Sequence, residues 1–343
     1  MEKLNKLVQI EWKAQKIVKN TLITGPKIEV IFQTSSRRAQ PNTKKSHLLI
    51  MQGSFDPPTV THIELLRRAV KLKKSFKPKD NIEIIILLSI SHVDKRLNVI
   101  DRSLLGYRIE MLRLLLKEVR GPEFKVPITL GLSNVARYID LIEGVRQDFQ
   151  NIKSITFIMG MDVFKKVLEP KYYEHPFSKV LPQIFQANYF VASREDIIKE
   201  KDFIKLLKDR ISNIKSVQEK IFFITMPEDT RFLSSSLLRK KIAREGISKE
   251  TNIHPVILNY LIQNSLYCPT KEELAIAIAI QTLVRLNLEA EKSIMFTMKI
   301  LNQLIPEIKN NYHFQNKIVV EYKREEYNAI TRRWVELQIQ NSY

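Results

Sequence analysis

Apolar strand-like runs alternate with amphipathic helical segments along most of this chain. The run IEIIILLSI at 82–90 is apolar almost throughout, so it predicts a strand that is buried on both faces. Strands of this kind occur in parallel sheets whose two faces are covered by helices. The alternation therefore predicts an α/β fold built on a doubly wound, mainly parallel sheet.

The same pattern divides the chain into three parts. Residues 1–46 are predicted to form a helix, a short strand and a polar loop, residues 47–268 the α/β domain, and residues 269–343 a helical extension. Strands are predicted at 27–32, 47–52, 82–90, 127–132, 154–160, 187–193 and 220–225. Helices are predicted at 3–20, 61–74, 103–119, 135–148, 162–168, 201–217, 234–245 and 255–264, and a further one near 323–340. We expect the extension to pack on the core or to form a homo-oligomer with another subunit.

Composition narrows the class of protein and its partners. The net charge of +19 favours anionic partners such as nucleotides, nucleic acid or acidic lipid, although a general richness in lysine explains it equally well. The single cysteine, Cys268, excludes an internal disulfide and a multi-cysteine zinc site. The apolar segment at 274–288 is interrupted by Gln281 and Arg285 and is too short to cross a bilayer, and no signal peptide is evident. A soluble cytoplasmic protein without membrane partners is the expectation.

The segment GSFDPPTVTH at 53–62 follows the first strand of the domain. Ligands of open parallel sheets bind beyond the carboxyl ends of the strands. Gly53 allows close approach to the backbone, and either Thr59 or Thr61 could cap the next helix, leaving its first amides for an anion. His62 falls in the first helical turn and could face the same anion. The pattern indicates a phosphate pocket without a Walker lysine or a three-glycine fingerprint, and the alternative is a histidine that only caps or packs.

A second segment, LSSSLLRKKI at 233–242, follows the last predicted strand. Serines at a helix start offer hydroxyls and backbone amides to phosphate oxygens, and Arg239 lies one turn later. Taken alone, the serines could equally be a simple helix cap. Its position after a strand predicts that it reaches the same edge of the sheet as His62.

The two segments together resemble the nicotinamide/nicotinate mononucleotide adenylyltransferase family. The first is similar to its motif G-x-F-[DN]-P-x-[HT]-x-x-H, with Thr61 where many members have glycine. The second is similar to I-S-S-T-x-[IV]-R, with Ser236 at the threonine position and Arg239 at the arginine. The segment IMGMDVFKKVLEPKYY at 158–173 resembles the G-x-D segment of the family. The resemblance covers roughly 47–268.

The resemblance implies that ATP donates an adenylyl group to nicotinate or nicotinamide mononucleotide, giving a dinucleotide and pyrophosphate. It implies catalytic roles for His62, Arg239 and Lys95, and mononucleotide contacts from Lys95, Arg108 and Tyr138. The implied ATP-binding residues are Gly53, Ser54, Phe55, Thr59, His62, Gly160, Asp162, Arg194, Ser234, Ser235, Ser236 and Arg239. Mg²⁺ would bind mainly through the ATP phosphates, without a dedicated set of protein ligands.

Two residue roles stay open at this point. Asp56 could orient its loop or touch Mg²⁺ through water, and the frequency of aspartate in turns favours the loop. Family members stack the pyridine ring on an aromatic side chain, and the candidates here are Tyr138, Phe164, Tyr172 and Tyr173, each of which could equally be a core residue.

Two other classes of function compete with this one. A different nucleotidyltransferase of the superfamily would transfer a nucleotide to phosphopantetheine, or CMP to a phospho-alcohol. A nucleic-acid-binding protein with an inactive nucleotidyltransferase fold would explain the positive charge, but the chain has no clustered aromatic and basic recognition motif of the kind that RNA modules use. We therefore do not expect nucleic acid as a partner.

Overall fold

The computed structural model describes residues 28–34, 45–77, 79–89, 105–118, 124–193, 217–231, 234–245, 247, 253–264 and 266–267. The predicted helix at 3–20 and the extension at 269–343 lie outside the described residues, as does the predicted helix at 201–217 apart from its last residue.

Within the described residues, seven strands form one sheet in the order β1-β4-β3-β2-β5-β6-β7. The strands are β1 Ile28–Gln33, β2 Ser46–Gly53, β3 Asn81–Ser89, β4 Ile128–Ser133, β5 Ile152–Gly160, β6 Asn188–Ser193 and β7 Ile221–Thr225. All neighbouring pairs are parallel except β1 with β4, which is antiparallel. The predicted doubly wound, mainly parallel sheet is confirmed. The strand order reverses at the β2–β5 pair, with β3 and β4 following on one side and β6 and β7 on the other.

Helices cover both faces of this sheet. They are α1 Val60–Phe76, α2 Leu105–Glu118, α3 Tyr138–Asp148, α4 Met161–Val167, α5 Phe177–Ile184, α6 Glu228–Arg231, α7 Ser235–Glu245 and α8 Pro255–Gln263. The sequence did not predict α5, because its eight residues follow Pro176 and include Pro182, and proline disfavours a helix interior. No helix among those described has both the length and the apolar character that a bilayer crossing requires.

The sheet separates two hydrophobic clusters, one on each face, and strand β2 contributes residues to both. Leu49 and Met51 belong to the cluster shared with α1, α2 and α8, whereas Leu48 and Ile50 belong to the cluster shared with α3, α4 and α5. Successive strand residues point to opposite faces, and all four are at most 3% exposed. The strand is therefore central to the fold, which fixes the position of the loop that follows it.

Strand β1 adds an antiparallel edge to the sheet. It precedes residue 47, where the sequence predicted the domain to begin, so the sheet extends N-terminal to that boundary. Strand β1 packs closely on Gly131 of β4, because a Cβ there would lie 3.1 Å from the carbonyl oxygen of Glu29. A larger residue at 131 would therefore require β1 to shift by a few tenths of an ångström.

Candidate active site

A cavity of about 500 Å³ lies at the carboxyl ends of the strands, around the β2–β5 pair. This is the crevice where open α/β sheets bind their ligands. Both sequence motifs contribute to its wall: Gly53, Ser54, Phe55, Thr59 and His62 from the first, and Ser234, Ser235 and Ser236 from the second. Segments that are far apart in the chain thus meet in one cavity, as their positions after strands predicted.

Thr59 is the N-cap of helix α1, and His62 occupies the third helical position. The backbone N–H of Thr59 donates to Nδ1 of His62 at 3.0 Å, and the Thr59 hydroxyl lies 2.8 Å from the same nitrogen. A capping box usually has Glu or Gln at this third position, so histidine here takes over their role. His62 therefore caps its helix and also lines the cavity, so the two interpretations of the sequence are not exclusive.

Phe55 packs between the glycine and the histidine of the first motif. Its ring centroid is 5.1 Å from that of His62, and a Cβ on Gly53 would lie 3.3 Å from the Phe55 ring. The absent side chain of Gly53 therefore makes room for this ring. Phe55 has a φ of 44°, a left-handed conformation that is uncommon for a bulky residue.

Asp56 is fully buried beneath the same loop. The Tyr267 hydroxyl donates to its Oδ1 at 2.7 Å, and Nη1 of Arg239 lies 3.8 Å from its Oδ2. Nη1 of Arg239 also donates to the Asp56 carbonyl oxygen at 2.5 Å. These contacts fit the interpretation that Asp56 orients the loop.

The structure places Arg239 differently from what its predicted phosphate role suggests. Its side chain is 14% exposed, and the contacts described for its guanidinium are to Asp56, in the first-motif loop. Arg239 is not among the residues that line the cavity. Contact between Arg239 and a triphosphate therefore stays a prediction, whereas its contact with the loop is a structural fact.

The serines before and at the start of α7 have distinct partners. The Ser234 hydroxyl accepts from the backbone N–H of Leu237 at 3.2 Å and caps the helix. The Ser235 hydroxyl donates to the carbonyl oxygen of Pro57 at 2.8 Å and so joins α7 to the first motif. Ser236 is exposed at the cavity. The amino end of α7, with its positive dipole, therefore faces the same space as His62.

The sequence left either Thr59 or Thr61 as the helix cap, and in the structure the Thr61 hydroxyl forms a different hydrogen bond. Its hydroxyl donates to the carbonyl oxygen of Thr230 in α6 at 3.0 Å, and Thr61 also lines the cavity. A glycine at this position could not make this bond. The threonine thus ties α1 to the segment that leads into α7.

Gly160 and Asp162 stand at the end of β5, on the cavity wall. Asp162 is exposed in the first turn of α4, where the helix dipole favours a carboxylate. A Cβ on Gly160 would lie 2.6 Å from Oδ1 of Asp162, closer than real atoms approach. Glycine at 160 therefore lets the Asp162 carboxylate fold back toward the end of the strand.

The four aromatic candidates separate into core and cavity residues. Phe164 is fully buried against Tyr189, with ring centroids 5.1 Å apart, and does not line the cavity. Tyr138 lines the cavity but is 7% exposed and packs edge-on against Phe157 at 5.0 Å. Tyr172 and Tyr173 are half-buried and line it too.

Tyr173 is hydrogen-bonded to the last residue of helix α4. Its hydroxyl donates to the carbonyl oxygen of Val167 at 2.6 Å, and burial raises its pKa to about 12. A ring held in this way is part of the wall. Tyr172, in the 3-10 turn Pro170–Tyr172, also lines the cavity, with Nζ of Lys171 5.0 Å from the centroid of its ring, and is a candidate for a stacking surface.

Arg137 is a cavity residue that sequence reasoning missed. It is the N-cap residue of α3, and its Nε donates to Oδ2 of Asp140 at 2.7 Å. This hydrogen bond raises the pKa of Arg137, so the guanidinium stays charged. The signal available in the sequence was an arginine at the start of the predicted helix 135–148, after a strand.

The remaining predicted residues do not line the cavity or lie outside the described residues. Arg108 is buried in α2, and its Nη1 donates to the Ser54 carbonyl oxygen at 3.4 Å. It therefore contacts the first-motif loop from behind, although it does not line the cavity. Lys95 and Arg194 lie outside the described residues. In the part of the chain that is described, no three His, Cys, Asp or Glu side chains form a metal-binding group.

The sheet is Rossmann-like, and the cavity lies at its switch point, the β2–β5 pair where the strand order reverses. These two features define a nucleotide-binding class of α/β protein. Residues 50–241, more than half of the chain, match the cytidylyltransferase-like family. The chain therefore belongs to the cytidylyltransferase-like family, within the nucleotidyltransferase superfamily.

Among solved structures, the fold is similar to that of Plasmodium falciparum nicotinic acid mononucleotide adenylyltransferase complexed with APC, at 20% sequence identity and a TM-score of 0.44. That match covers 64% of this chain and 96% of that chain. No curated protein sequence matches the chain.

Proposed function

We propose that the protein transfers the adenylyl group of ATP to nicotinate or nicotinamide mononucleotide. The observation that carries this proposal is the meeting of His62 and the amino end of α7 in one cavity at the sheet's switch point. The family match supports nucleotidyl transfer, and the resemblance of both motifs to the pyridine-nucleotide branch supports this acceptor. The products are a dinucleotide and pyrophosphate.

The chemistry needs positioning and charge stabilisation more than covalent participation by the protein. A phosphate oxygen of the mononucleotide attacks the α-phosphorus of ATP, and the bond from that phosphorus to the oxygen bridging it to the β-phosphorus breaks. The electron pair of that bond leaves with pyrophosphate. The groups needed are therefore donors to the α- and β-phosphate oxygens, where negative charge develops.

His62 supplies such a donor in this proposal. Because Nδ1 accepts from the Thr59 N–H, the neutral ring carries its proton on Nε2. Nε2–H would donate to an α- or β-phosphate oxygen, with the ring held by Thr59 and packed by Phe55. The ring needs no change of protonation to do so.

The amino end of α7 would hold the leaving pyrophosphate. Its backbone amides and Ser236 lie at the cavity, and phosphate at a helix N-terminus is a favourable arrangement. Arg239, Lys95 and Arg194 are proposed to add positive charge around the triphosphate. Mg²⁺ would bind mainly through the phosphates, since it keeps much of its water shell, and would neutralise charge on the leaving group.

The acceptor would occupy the part of the cavity lined by Tyr172, Tyr138 and Arg137. Tyr172 would stack on the pyridine ring, and Asp162, near the end of β5, would accept from a ribose or base of the nucleotide. Arg108 and Lys95 are proposed to act on the mononucleotide side, Arg108 through its contact with Ser54.

The test is a pyrophosphate-release assay on the full chain, with ATP or CTP as donor. Nicotinate mononucleotide, nicotinamide mononucleotide, phosphopantetheine and a phospho-alcohol serve as acceptors. Release that requires ATP and a pyridine mononucleotide supports the proposal. Release with CTP and a phospho-alcohol, which the name of the matching family keeps open, would assign a different reaction to the same cavity.

A further inference from the structure

Tyr267 reaches back from the end of the described chain to the first-motif loop. It follows α8 and donates its hydroxyl to Oδ1 of Asp56 at 2.7 Å, across 211 positions of sequence. Arg239 holds the same residue through the Asp56 carbonyl oxygen and stands 3.8 Å from its Oδ2. We refer to Asp56, Arg239 and Tyr267 together as the loop clamp.

The loop clamp surrounds a carboxylate that is fully buried. A buried charge is stable only when it is paired and hydrogen-bonded, and removing one partner leaves a strong drive to rearrange. The loop that carries this carboxylate is also held by Ser235, which donates to the carbonyl oxygen of Pro57. Two separate parts of the chain, helix α7 and the residue Tyr267 after α8, therefore hold the loop between β2 and α1.

Backbone strain occurs on both sides of the Asp56–Tyr267 hydrogen bond. Among the described residues, Phe55, Asn151 and Tyr267 are the non-glycine residues with positive φ, at 44°, 55° and 64°. Two of the three are Tyr267 itself and the neighbour of Asp56. Strained backbone persists where the surrounding structure over-determines it, and such residues concentrate at functional sites.

The loop connects the clamp to the histidine. Phe55, next to Asp56, packs its ring 5.1 Å from the His62 ring, and Thr59, three residues after Asp56, donates to Nδ1 of His62. A shift of Asp56 would therefore move the two groups that orient the imidazole.

We propose that Tyr267 is a positioning residue for adenylyl transfer, because its hydroxyl holds Asp56 and thereby the loop that orients His62. This inference rests on the proposed function for its kinetic consequence. Tyr267 does not line the cavity, so it acts through the loop and not on a substrate.

Tyr267→Phe removes one oxygen atom and should act on kcat more than on KM. A misplacement of catalytic groups by about 1 Å can cost on the order of 100-fold in rate, so we expect kcat to fall about 10- to 100-fold. The KM values for ATP and mononucleotide should change less than about threefold, since the cavity wall is intact. Tyr260→Phe is the matched control, because it removes a hydroxyl from α8, where the ring packs edge-on against Tyr107 of α2.

A spectroscopic measurement tests the clamp without relying on activity. The ¹⁵N shifts of the His62 ring, identified by their loss in His62→Ala, report which nitrogen carries the proton. In the wild-type protein and in Tyr260→Phe we expect the Nε2–H form, and in Tyr267→Phe a mixture of both tautomers. Incorporation of 4-aminophenylalanine at 267 returns an N–H donor and should restore the wild-type spectrum and rate, which also guards against a folding defect in the phenylalanine variant.

The outcomes separate the two proposals. If Tyr267→Phe matches Tyr260→Phe in both kcat and the His62 spectrum, Tyr267 has no positioning role. If the wild-type protein releases no pyrophosphate from any donor and acceptor pair, the proposed function fails. The ring spectra of the two variants would then still decide whether the clamp orients His62.

Discussion

The backbone N–H of Thr59 donates to Nδ1 of His62 at 3.0 Å. This bond starts helix α1 and also determines where the neutral imidazole keeps its proton, since a nitrogen that accepts a hydrogen bond is unprotonated. One local contact thus caps the helix and also orients the imidazole ring that lines the cavity. The Thr59 hydroxyl, 2.8 Å from the same nitrogen, is the part of this arrangement that requires a hydroxyl side chain three residues before the histidine.

Replacement of His62 separates its capping role from its proposed catalytic role. We expect His62→Ala to lower turnover by about 100- to 1,000-fold, as for the loss of one preorganised donor. It should also lower the free energy of unfolding by about 0.5–2 kcal/mol, because the helix loses a cap. His62→Glu restores the usual capping-box residue and should be as stable as the wild type but inactive. Turnover assays and thermal melts check both expectations, and an active His62→Ala would remove the ring from the mechanism.

Gly160→Ala should weaken nucleotide binding only when Asp162 is present. The added Cβ would lie 2.6 Å from Oδ1 of Asp162, so the carboxylate has to move. If that carboxylate binds the nucleotide, each single variant, Gly160→Ala and Asp162→Ala, should weaken ATP binding about 10-fold or more. The double variant should match Asp162→Ala, because the clash is absent without the carboxylate. Titration calorimetry with ATP measures this coupling, and additive losses would show that Asp162 does not transmit the effect.

Tyr172→Ala should raise KM for the mononucleotide and leave KM for ATP near the wild-type value. Stacking of a base on an aromatic ring contributes about 1–3 kcal/mol, which corresponds to roughly 5- to 150-fold in affinity. Tyr172→Phe keeps the ring and is the matched control, for which we expect little change. Equal increases in both KM values would indicate that Tyr172 shapes the cavity as a whole.

His47 should make stability depend on pH at the other end of the sheet. It is 4% exposed, with Nδ1 2.6 Å from the Ser154 hydroxyl and Nε2 2.8 Å from Oδ2 of Asp80. Burial lowers its pKa below the ordinary 6.5, an effect that Lys73 reinforces and that the hydrogen bond to Asp80 only partly opposes. The folded protein therefore binds fewer protons than the unfolded chain just below pH 6.5, and stability falls as the pH falls through this range.

His47→Gln removes this titration and should flatten the decline. The measurement is the melting temperature of both proteins as the pH is lowered from neutral. Hydrogen bonds from Lys153 and His47 hold the pKa of Asp80 at about 2, so Asp80 adds its own loss of stability only at much lower pH. Parallel declines in the two proteins above that range would show that His47 is not the group responsible.

Local sequence patterns were enough to predict the sheet. They could not predict the contacts between residues that are far apart in the chain. The apolar run at 82–90 identifies a buried strand from neighbouring residues alone, and β3 is found at Asn81–Ser89. The hydrogen bond from the Thr61 hydroxyl to the Thr230 carbonyl oxygen joins α1 to a residue that only the fold brings close. The contact of Arg239 with Asp56 joins positions 183 apart, and no periodicity indicates it.

Only part of the site could be predicted, because some of its contacts join residues that are far apart in the chain. Motif position after strands correctly placed the serines and His62 at one cavity, because parallel strands bring their carboxyl ends to one edge. It could not show that the Ser234 and Ser235 hydroxyls are used by the helix cap and by Pro57, since those bonds depend on atomic packing. Arg137 was missed because an arginine at a helix start is ordinary in sequence.

The central claim is that His62 and the amino end of α7 act on one nucleotide. The most direct measurement is phosphorus NMR of the full chain mixed with ATP, Mg²⁺ and nicotinate mononucleotide, repeated with His62→Ala. We predict equal amounts of dinucleotide and pyrophosphate, formed with the wild-type protein and reduced about 100-fold or more with the variant. Formation of the same products at equal rates by both proteins, or of none by either with any pyridine mononucleotide, would contradict the claim.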